Sequence, residues 1–108
     1  MSESLEITAE ELATEIEGDD PPRLLDVRQQ SEFDIVHLED GELLNEEKME
    51  DVLREWDRET LIVCYCHHGI RSLHATVALK QQGFTNVRSL QGGIDHWAEV
   101  IDPSLPRY

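Results

Sequence analysis

The sequence is poor in cysteine, proline, aromatic residues and positive charge. Its 108 residues include two cysteines, four prolines and only nine lysines and arginines against 24 acids, which gives a net charge of −15. A surface of this charge repels nucleic acid and anionic membrane, whose binding depends on cationic contacts. No apolar run approaches the roughly 20 residues that a membrane-spanning helix needs. We therefore expect neither nucleic acid nor membrane as a partner.

The two cysteines, Cys64 and Cys66, are separated by a single residue. A disulfide between them would close a small strained ring, because bridged residues normally place their Cα atoms about 5.5–6 Å apart. The opening MSESLEIT also lacks the basic start and apolar stretch of a signal peptide. We expect free thiols, a cytoplasmic location, and a single domain over residues 1–108 with one modest core.

Acidic residues are missing from one long window of the chain. No Asp or Glu occurs between Thr60 and Ile94, whereas Arg71, Lys80 and Arg88 lie within it. All 24 acids, against six basic residues, therefore belong to the rest of the chain. Burial of central strands and helices would account for such a window. Because it also contains both cysteines, the sequence favours an anion site there.

Apolar spacing alternates along the chain between strand and helix patterns. Strand candidates are Arg23–Val27, Leu61–Tyr65 and Asn86–Leu90. The helix candidates are one opened by a Thr8/Glu11 capping box and closed by Gly18, one over Ser31–His37, one capped by Asn45 and running to Trp56, one over Ser72–Gln82, and one opened by Gly92 and Gly93 around Trp97. This alternation predicts an α/β domain with a mostly parallel sheet, which binds ligands at the carboxyl ends of its strands.

The loop that follows the strand Leu61–Tyr65 is the candidate reactive segment. A cysteine there can receive hydrogen bonds from loop amides and lies at the positive end of the next helix, and both effects favour the thiolate. Gly69 gives the loop backbone freedom. Arg71 can hold an oxyanion with its fork of donors. Cys-x4-Arg in this position indicates a cradle for a covalent sulfur or an oxyanion.

Motifs spread over almost the whole chain resemble those of the rhodanese family. They are Leu24–Arg28 (LLDVR), Glu32–Phe33, His37–Leu38, Tyr65–Ser72 (YCHHGIRS), Gly83–Val87 (GFTNV), Leu90–Trp97 (LQGGIDHW) and Ile101–Tyr108 (IDPSLPRY). The loop and the tail are most similar to rhodanese domains attached to sulfur-carrier-activating enzymes. The resemblance implies a three-layer rhodanese-like fold, a mostly parallel central sheet with helices on both faces.

The same resemblance implies a sulfurtransferase without a cofactor. Cys66 would take sulfane sulfur from thiosulfate or a persulfide donor and pass it to cyanide, a thiol or a protein. Substrate binding is assigned to the rest of the loop, His67, His68, Gly69, Ile70 and Arg71. A supporting role is assigned to Asp26, Arg28, His37 and Ser72. Asp26 and Arg28 are interpreted as an ion pair that braces the loop.

Two other functions remain open from the sequence. A phosphatase or arsenate reductase uses a similar cradle, but in this family its loop is one residue longer than the six from Cys66 to Arg71. A non-catalytic docking module is the other. We further expect Cys64, Trp56 and Trp97 to pack in the core. His67 and His68 are interpreted equally well as solvent-facing residues. No metal site is expected, since zinc sites normally pair two ligand clusters and adjacent histidines rarely reach one ion.

Overall fold

The computed structural model describes residues 5–107; residues 1–4 and Tyr108, the last residue of the tail motif, lie outside this range. The elements are β1 (Glu6–Ile7), α1 (Ala9–Ile16), β2 (Arg23–Asp26), α2 (Gln30–Ile35), β3 (Gly41–Leu43), α3 (Glu46–Glu55), β4 (Ile62–Tyr65), α4 (Ile70–Gln81), β5 (Val87–Leu90) and α5 (Gly93–Val100). Among the described helices, none has both the length and the apolar character needed to cross a membrane.

All five strands are parallel and form one sheet in the order β1-β5-β4-β2-β3. The central strand, β4, pairs with β2 on one side and β5 on the other, and all four of its residues are buried. This matches the continuous apolar run of the sequence, because a strand covered on both faces has no polar side. The carboxyl end of β4 therefore lies in the middle of one sheet edge.

Alternate residues of the strands enter two separate cores. Val63 and Tyr65 join residues of α1 and α5 in one cluster. Ile62 and Cys64 join residues of α3 and α4 in the other. Since neighbouring strand residues point to opposite faces, the helices cover both faces of the sheet. The expected three-layer α/β fold is confirmed.

The structure corrects several expected boundaries. β1 and β3 were not predicted; the first has only two residues, and the second reads Gly-Glu-Leu without a β-branched residue. Helix α2 ends at Ile35, two residues before the predicted end, because Val36 is extended. Helix α4 begins at Ile70, two residues before Ser72, because Gly69 adopts φ 106° and forms its N-cap. The Thr8/Glu11 capping box forms as predicted.

The two tryptophans differ in their surroundings. Trp97 is buried in the α1/α5 core, as expected. Trp56 lies only at the margin of the other core, with the Arg23 guanidinium stacked 3.7 Å from the centre of its ring. The prediction that Trp56 is a core residue is therefore wrong in part, because a cation covers one face of the indole.

Candidate active site

The cysteine loop is attached to the first turn of α5. The amide of Ile94 donates to the Cys66 carbonyl at 2.8 Å, and the amide of Asp95 donates to the His67 carbonyl at 3.1 Å. Gly93 has φ +64°, and a Cβ on it would overlap the carbonyl oxygens of both loop residues. The Gly92-Gly93 pair therefore opens α5, as predicted, and also allows the loop to approach the helix closely.

Two backbone amides donate to the Cys66 sulfur, and the Ser72 hydroxyl lies beside it. The amides of Gly69 and Ser72 lie 3.1 and 3.4 Å from Sγ, and the Ser72 hydroxyl lies 3.4 Å from it. The residue is only 1% exposed. Helix α4 begins at Ile70, so its amino end and positive dipole also face the sulfur. The loop is a cradle suited to a negatively charged sulfur.

These contacts lower the pKa of Cys66. Burial, the largest single influence, raises this pKa, but hydrogen bonds from the Ser72 hydroxyl and from the Ser72, Gly69 and Arg71 backbone together outweigh it. The resulting pKa of Cys66 lies below the ordinary value of 9.0. The thiolate, which is the nucleophilic form, is therefore favoured at this position.

Ser89, on β5, is a site residue that the sequence did not reveal. Its Oγ lies 2.7 Å from the Ser72 Oγ, and both residues are fully buried. The Ser72 hydroxyl has a single proton, which either donates to the Gly69 carbonyl at 3.2 Å or turns toward the sulfur. Ser89 can donate to Ser72 in the second case. Because 17 residues separate the two serines, it is the packing of the first turn of α4 against β5 that brings them together.

Arg71, predicted to bind an oxyanion, is engaged by a carboxylate. Its guanidinium forms a two-pronged ion pair with Glu32 of α2, at 2.8 and 3.2 Å. Similarly, Arg88 forms a two-pronged pair with Glu15. Two of the three basic residues in the acid-free window therefore pair with acids from outside it. The ion pair with Glu32 gives Arg71 a structural role that is not evident from the sequence, because it joins the cysteine loop to α2.

Three of the residues expected to support the loop differ in burial: Asp26 and Arg28 are buried, and His37 is exposed. Asp26 and Arg28 form a buried ion pair at 2.6 Å, and Arg28 also donates to the Val36 carbonyl. This pair ties the end of β2 to the chain after α2. His37, in contrast, is exposed, lies beyond the end of α2 and contacts that helix: its ring stacks on Phe33 at 4.0 Å and its Nδ1 lies 3.0 Å from the Phe33 carbonyl.

Cys64 is isolated from the reactive loop by its position in the core. Its side chain leaves β4 on the face of the sheet that α3 and α4 cover, and it is fully buried there. Burial raises the pKa of its thiol to about 12. The expectation that Cys64 is a packing residue agrees with this environment.

Two loop histidines converge with Asp95 beside the cradle. The rings of His67 and His68 stack 4.1 Å apart. Their Nε2 atoms lie 3.9 and 3.6 Å from the two oxygens of Asp95. Burial, followed by the charge of His68, lowers the pKa of His67. Arg107 of the tail donates to Asp95 at 2.9 and 3.0 Å, and this contact lowers the pKa of Asp95.

The family model for rhodanese-like domains matches residues 8–100. The chain belongs to the rhodanese family. This rhodanese domain is 34% identical over 104 residues to a probable adenylyltransferase/sulfurtransferase, MoeZ of Mycobacterium tuberculosis, and the match covers 94% of the chain but 26% of that relative. It is also 34% identical over 78 residues to the thiosulfate sulfurtransferase GlpE of Shewanella oneidensis, covering 72% of the chain and 77% of that protein.

Solved structures show the same fold. The human single-domain sulfurtransferase TSTD1 superposes on the rhodanese domain with a TM-score of 0.80 at 21% identity, over 91% of this chain and 98% of that one. The rhodanese-like domain of the Anabaena Alr3790 protein gives a TM-score of 0.81 at 21% identity, over 98% and 86% of the two chains. At this level of identity the likeness establishes the architecture.

Proposed function

We propose that this rhodanese domain is a sulfurtransferase that carries sulfane sulfur as a persulfide on Cys66. The observation that carries the proposal is the convergence of amides and the Ser72 hydroxyl on a sulfur whose pKa is lowered. Preorganised donors of this kind stabilise a negative sulfur without reorganisation at the moment of reaction. The sulfurtransferase relatives, one of them a thiosulfate enzyme, support the same function.

The proposed reaction has two displacement steps. The Cys66 thiolate attacks the outer sulfur of thiosulfate, a new S–S bond forms, and the old one breaks as sulfite leaves with its electron pair. The terminal sulfur of the persulfide then carries the negative charge and occupies the cradle. Cyanide, a thiolate or a protein nucleophile attacks that sulfur, and the Cys66 thiolate leaves and is regenerated. Because Cys66 is 1% exposed, loop side chains above it must shift before a donor can reach it.

The remaining loop residues have a role at the entrance of the proposed site. Ile70, 70% exposed, and His68, with a side chain 64% exposed, present an apolar and a polar surface to an incoming donor or protein acceptor. We place the sulfonate end of thiosulfate near Arg71, whose guanidinium would then exchange part of its contact with Glu32 for the substrate. A reducing compartment such as the cytoplasm suits this chemistry, because Cys66 must begin each cycle as a free thiol.

Mass spectrometry after incubation with thiosulfate tests the proposal. We expect the intact protein to gain one sulfur atom, located on Cys66 after proteolysis, and to lose it on addition of cyanide. Cys66→Ser should abolish both the adduct and thiocyanate formation. The matched variant Cys64→Ser should keep the adduct. An adduct on Cys64, or none in the unmodified chain, would overturn the assignment.

The same samples distinguish sulfur transfer from the phosphatase and docking alternatives. The six residues from Cys66 to Arg71 leave little room for a phosphoryl group, so we expect negligible hydrolysis of aryl phosphates. Hydrolysis that depends on Cys66 and equals sulfur transfer in rate would favour the phosphatase. A protein that forms no persulfide on Cys66 and hydrolyses no aryl phosphate would favour the non-catalytic docking module.

A further inference from the structure

Three metal-ligating side chains meet beside the cysteine loop. One ligand atom from each of His67, His68 and Asp95 lies within 4.8 Å of the other two. In zinc sites with bonds of 2.0–2.1 Å, tetrahedral geometry separates neighbouring ligand atoms by about 3.3 Å. The His68 Nε2 atom lies 3.6 Å from Asp95 Oδ2, close to this value. The His67 Nε2 atom lies 3.9 Å from the other oxygen, Oδ1, so an ion at Oδ2 needs a small rotation of the carboxylate or of the His67 ring to be reached by both histidines.

The backbone holds two of these three residues in position. The Asp95 amide donates to the His67 carbonyl at 3.1 Å, so the first turn of α5 keeps the carboxylate opposite the loop. His67 has a side chain only 19% exposed, whereas that of His68 is 64% exposed. His67 and Asp95 would thus be held in position before a metal ion binds. His68 would move into position from solvent, and water would complete the coordination.

We propose that His67, His68 and Asp95 form a binding site for a divalent transition-metal ion such as Zn²⁺. Imidazole and carboxylate together suit Zn²⁺, whereas Ca²⁺ and Mg²⁺ require more oxygen ligands than this trio offers. The site lies outside the sulfur cradle and does not include Cys66. It does not depend on the function proposed above, because metal binding is measured without turnover.

Arg107 opposes the ion and provides a specific test. Its guanidinium donates to Asp95 Oδ1, which leaves Oδ2 facing His68. A divalent ion at Oδ2 therefore lies next to a fixed positive charge as well as the amino end of α5. We expect a dissociation constant in the micromolar range, and we expect it to decrease severalfold when Arg107 is replaced by Gln.

Binding should be measured on Cys66→Ser protein, which removes the reactive thiol as a competing ligand. Calorimetric titration with Zn²⁺ is expected to show one ion per chain, and Co²⁺ to give the visible absorption of nitrogen and oxygen ligands without a thiolate charge-transfer band. His68→Ala and Asp95→Asn should each weaken Zn²⁺ binding at least tenfold. His74→Ala, which removes an exposed histidine on α4, is the matched control and should leave affinity unchanged.

Each outcome decides for or against the site. Equal affinity in His68→Ala or Asp95→Asn would overturn the proposal, as would a loss of affinity in His74→Ala of the same size. Binding that is present in the unmodified chain and lost in Cys66→Ser would assign the metal to the thiol instead. Unchanged or weaker binding in Arg107→Gln would overturn the placement of the ion at Asp95. Metal-free melting temperatures of the variants separate a lost ligand from a lost fold.

Discussion

At the scale of single residues, the Ser72 hydroxyl, which contacts Ser89, is one of the groups that lower the pKa of Cys66. Ser72→Ala removes a donor that lowers the pKa of Cys66. A hydrogen bond to a charged group stabilises that charged form. We therefore expect the midpoint of Cys66 alkylation against pH to move up in Ser72→Ala.

Ser89→Ala should move the same midpoint in the same direction by a smaller amount, because Ser89 acts only through Ser72. The measurement is the rate of iodoacetamide labelling between neutral and alkaline pH, with Ser31→Ala on the exposed part of α2 as the control. A Ser89→Ala profile identical to that of the unmodified protein would show that the Ser72 hydroxyl orients itself without its neighbour.

In the proposed reaction, Glu32 and thiosulfate would compete for the guanidinium of Arg71. Glu32→Gln removes the charge but keeps an oxygen that can accept from the Gln29 amide, so the start of α2 is preserved. A partly exposed ion pair contributes at most about 1 kcal/mol, and we expect KM for thiosulfate to fall by up to about fivefold. Arg71→Lys, which loses the planar fork, should raise KM. Unchanged KM in both variants would make Arg71 a structural residue.

The parts of the site that are contiguous in sequence were predictable, and the parts contributed by distant elements were not. Cys66 and Gly69 lie in one short loop whose position after a buried strand is evident from the sequence. Ser89, Glu32 and Asp95 reach the loop from β5, α2 and α5, and nothing in their local sequence marks them as partners of this loop.

At the scale of elements, the long apolar segments were predicted and the short ones were not. The continuous apolar run of β4 and the helical spacing of apolar residues in α4 are long enough to predict a strand and a helix. β1 and β3 are edge strands of two and three residues that exist because they pair with β5 and β2. Tertiary pairing, not propensity, forms such strands. No local pattern in the sequence contains that information.

The close contact between the cysteine loop and the first turn of α5 predicts that a side chain at Gly93 is destabilising. Gly93→Ala combines an unfavourable backbone conformation with overlap on the loop carbonyls, whereas Gly83→Ala, at φ +97°, meets only the Arg58 side chain at 3.8 Å. The left-handed conformation alone costs roughly 1–2 kcal/mol. We expect Gly93→Ala to lower the free energy of unfolding by clearly more than Gly83→Ala, and also to slow Cys66 alkylation.

Chemical denaturation of both glycine variants, with labelling of Cys66 in the same preparations, is the measurement. Gly83 follows the carboxyl end of α4, at the other end of the helix from the sulfur. Gly83→Ala is therefore the matched control for backbone strain. Equal destabilisation by the two substitutions would mean that the loop and α5 separate easily, contrary to the close contact between them.

At the scale of the whole molecule, the charge of −15 opposes a dianionic donor. The local excess of positive charge in the sequence is largely offset in the structure, because Arg71 and Arg88 pair with Glu32 and Glu15. Salt screens charges beyond about 8–10 Å at moderate ionic strength. It therefore weakens the distant repulsion more than contacts within the loop.

We accordingly expect kcat/KM for thiosulfate to rise, or at least not to fall, as inert salt increases from low to moderate concentration. The measurement is steady-state turnover with cyanide in saturating amount. A persulfide donor with a single negative charge is the control, and its turnover should depend less on salt. A steep decrease with thiosulfate would show that the cations near the loop dominate over the global charge.

The burial of Cys64 has a consequence for oxidative damage. A sulfenic acid formed on Cys66 is normally rescued by a second thiolate that condenses with it to a disulfide. Cys64, the only other cysteine in the chain, lies in the core with a pKa of about 12 and offers no thiolate. Under peroxide, we therefore expect Cys66 to proceed to the irreversible sulfinic and sulfonic acids unless a small external thiol, such as glutathione, caps it first.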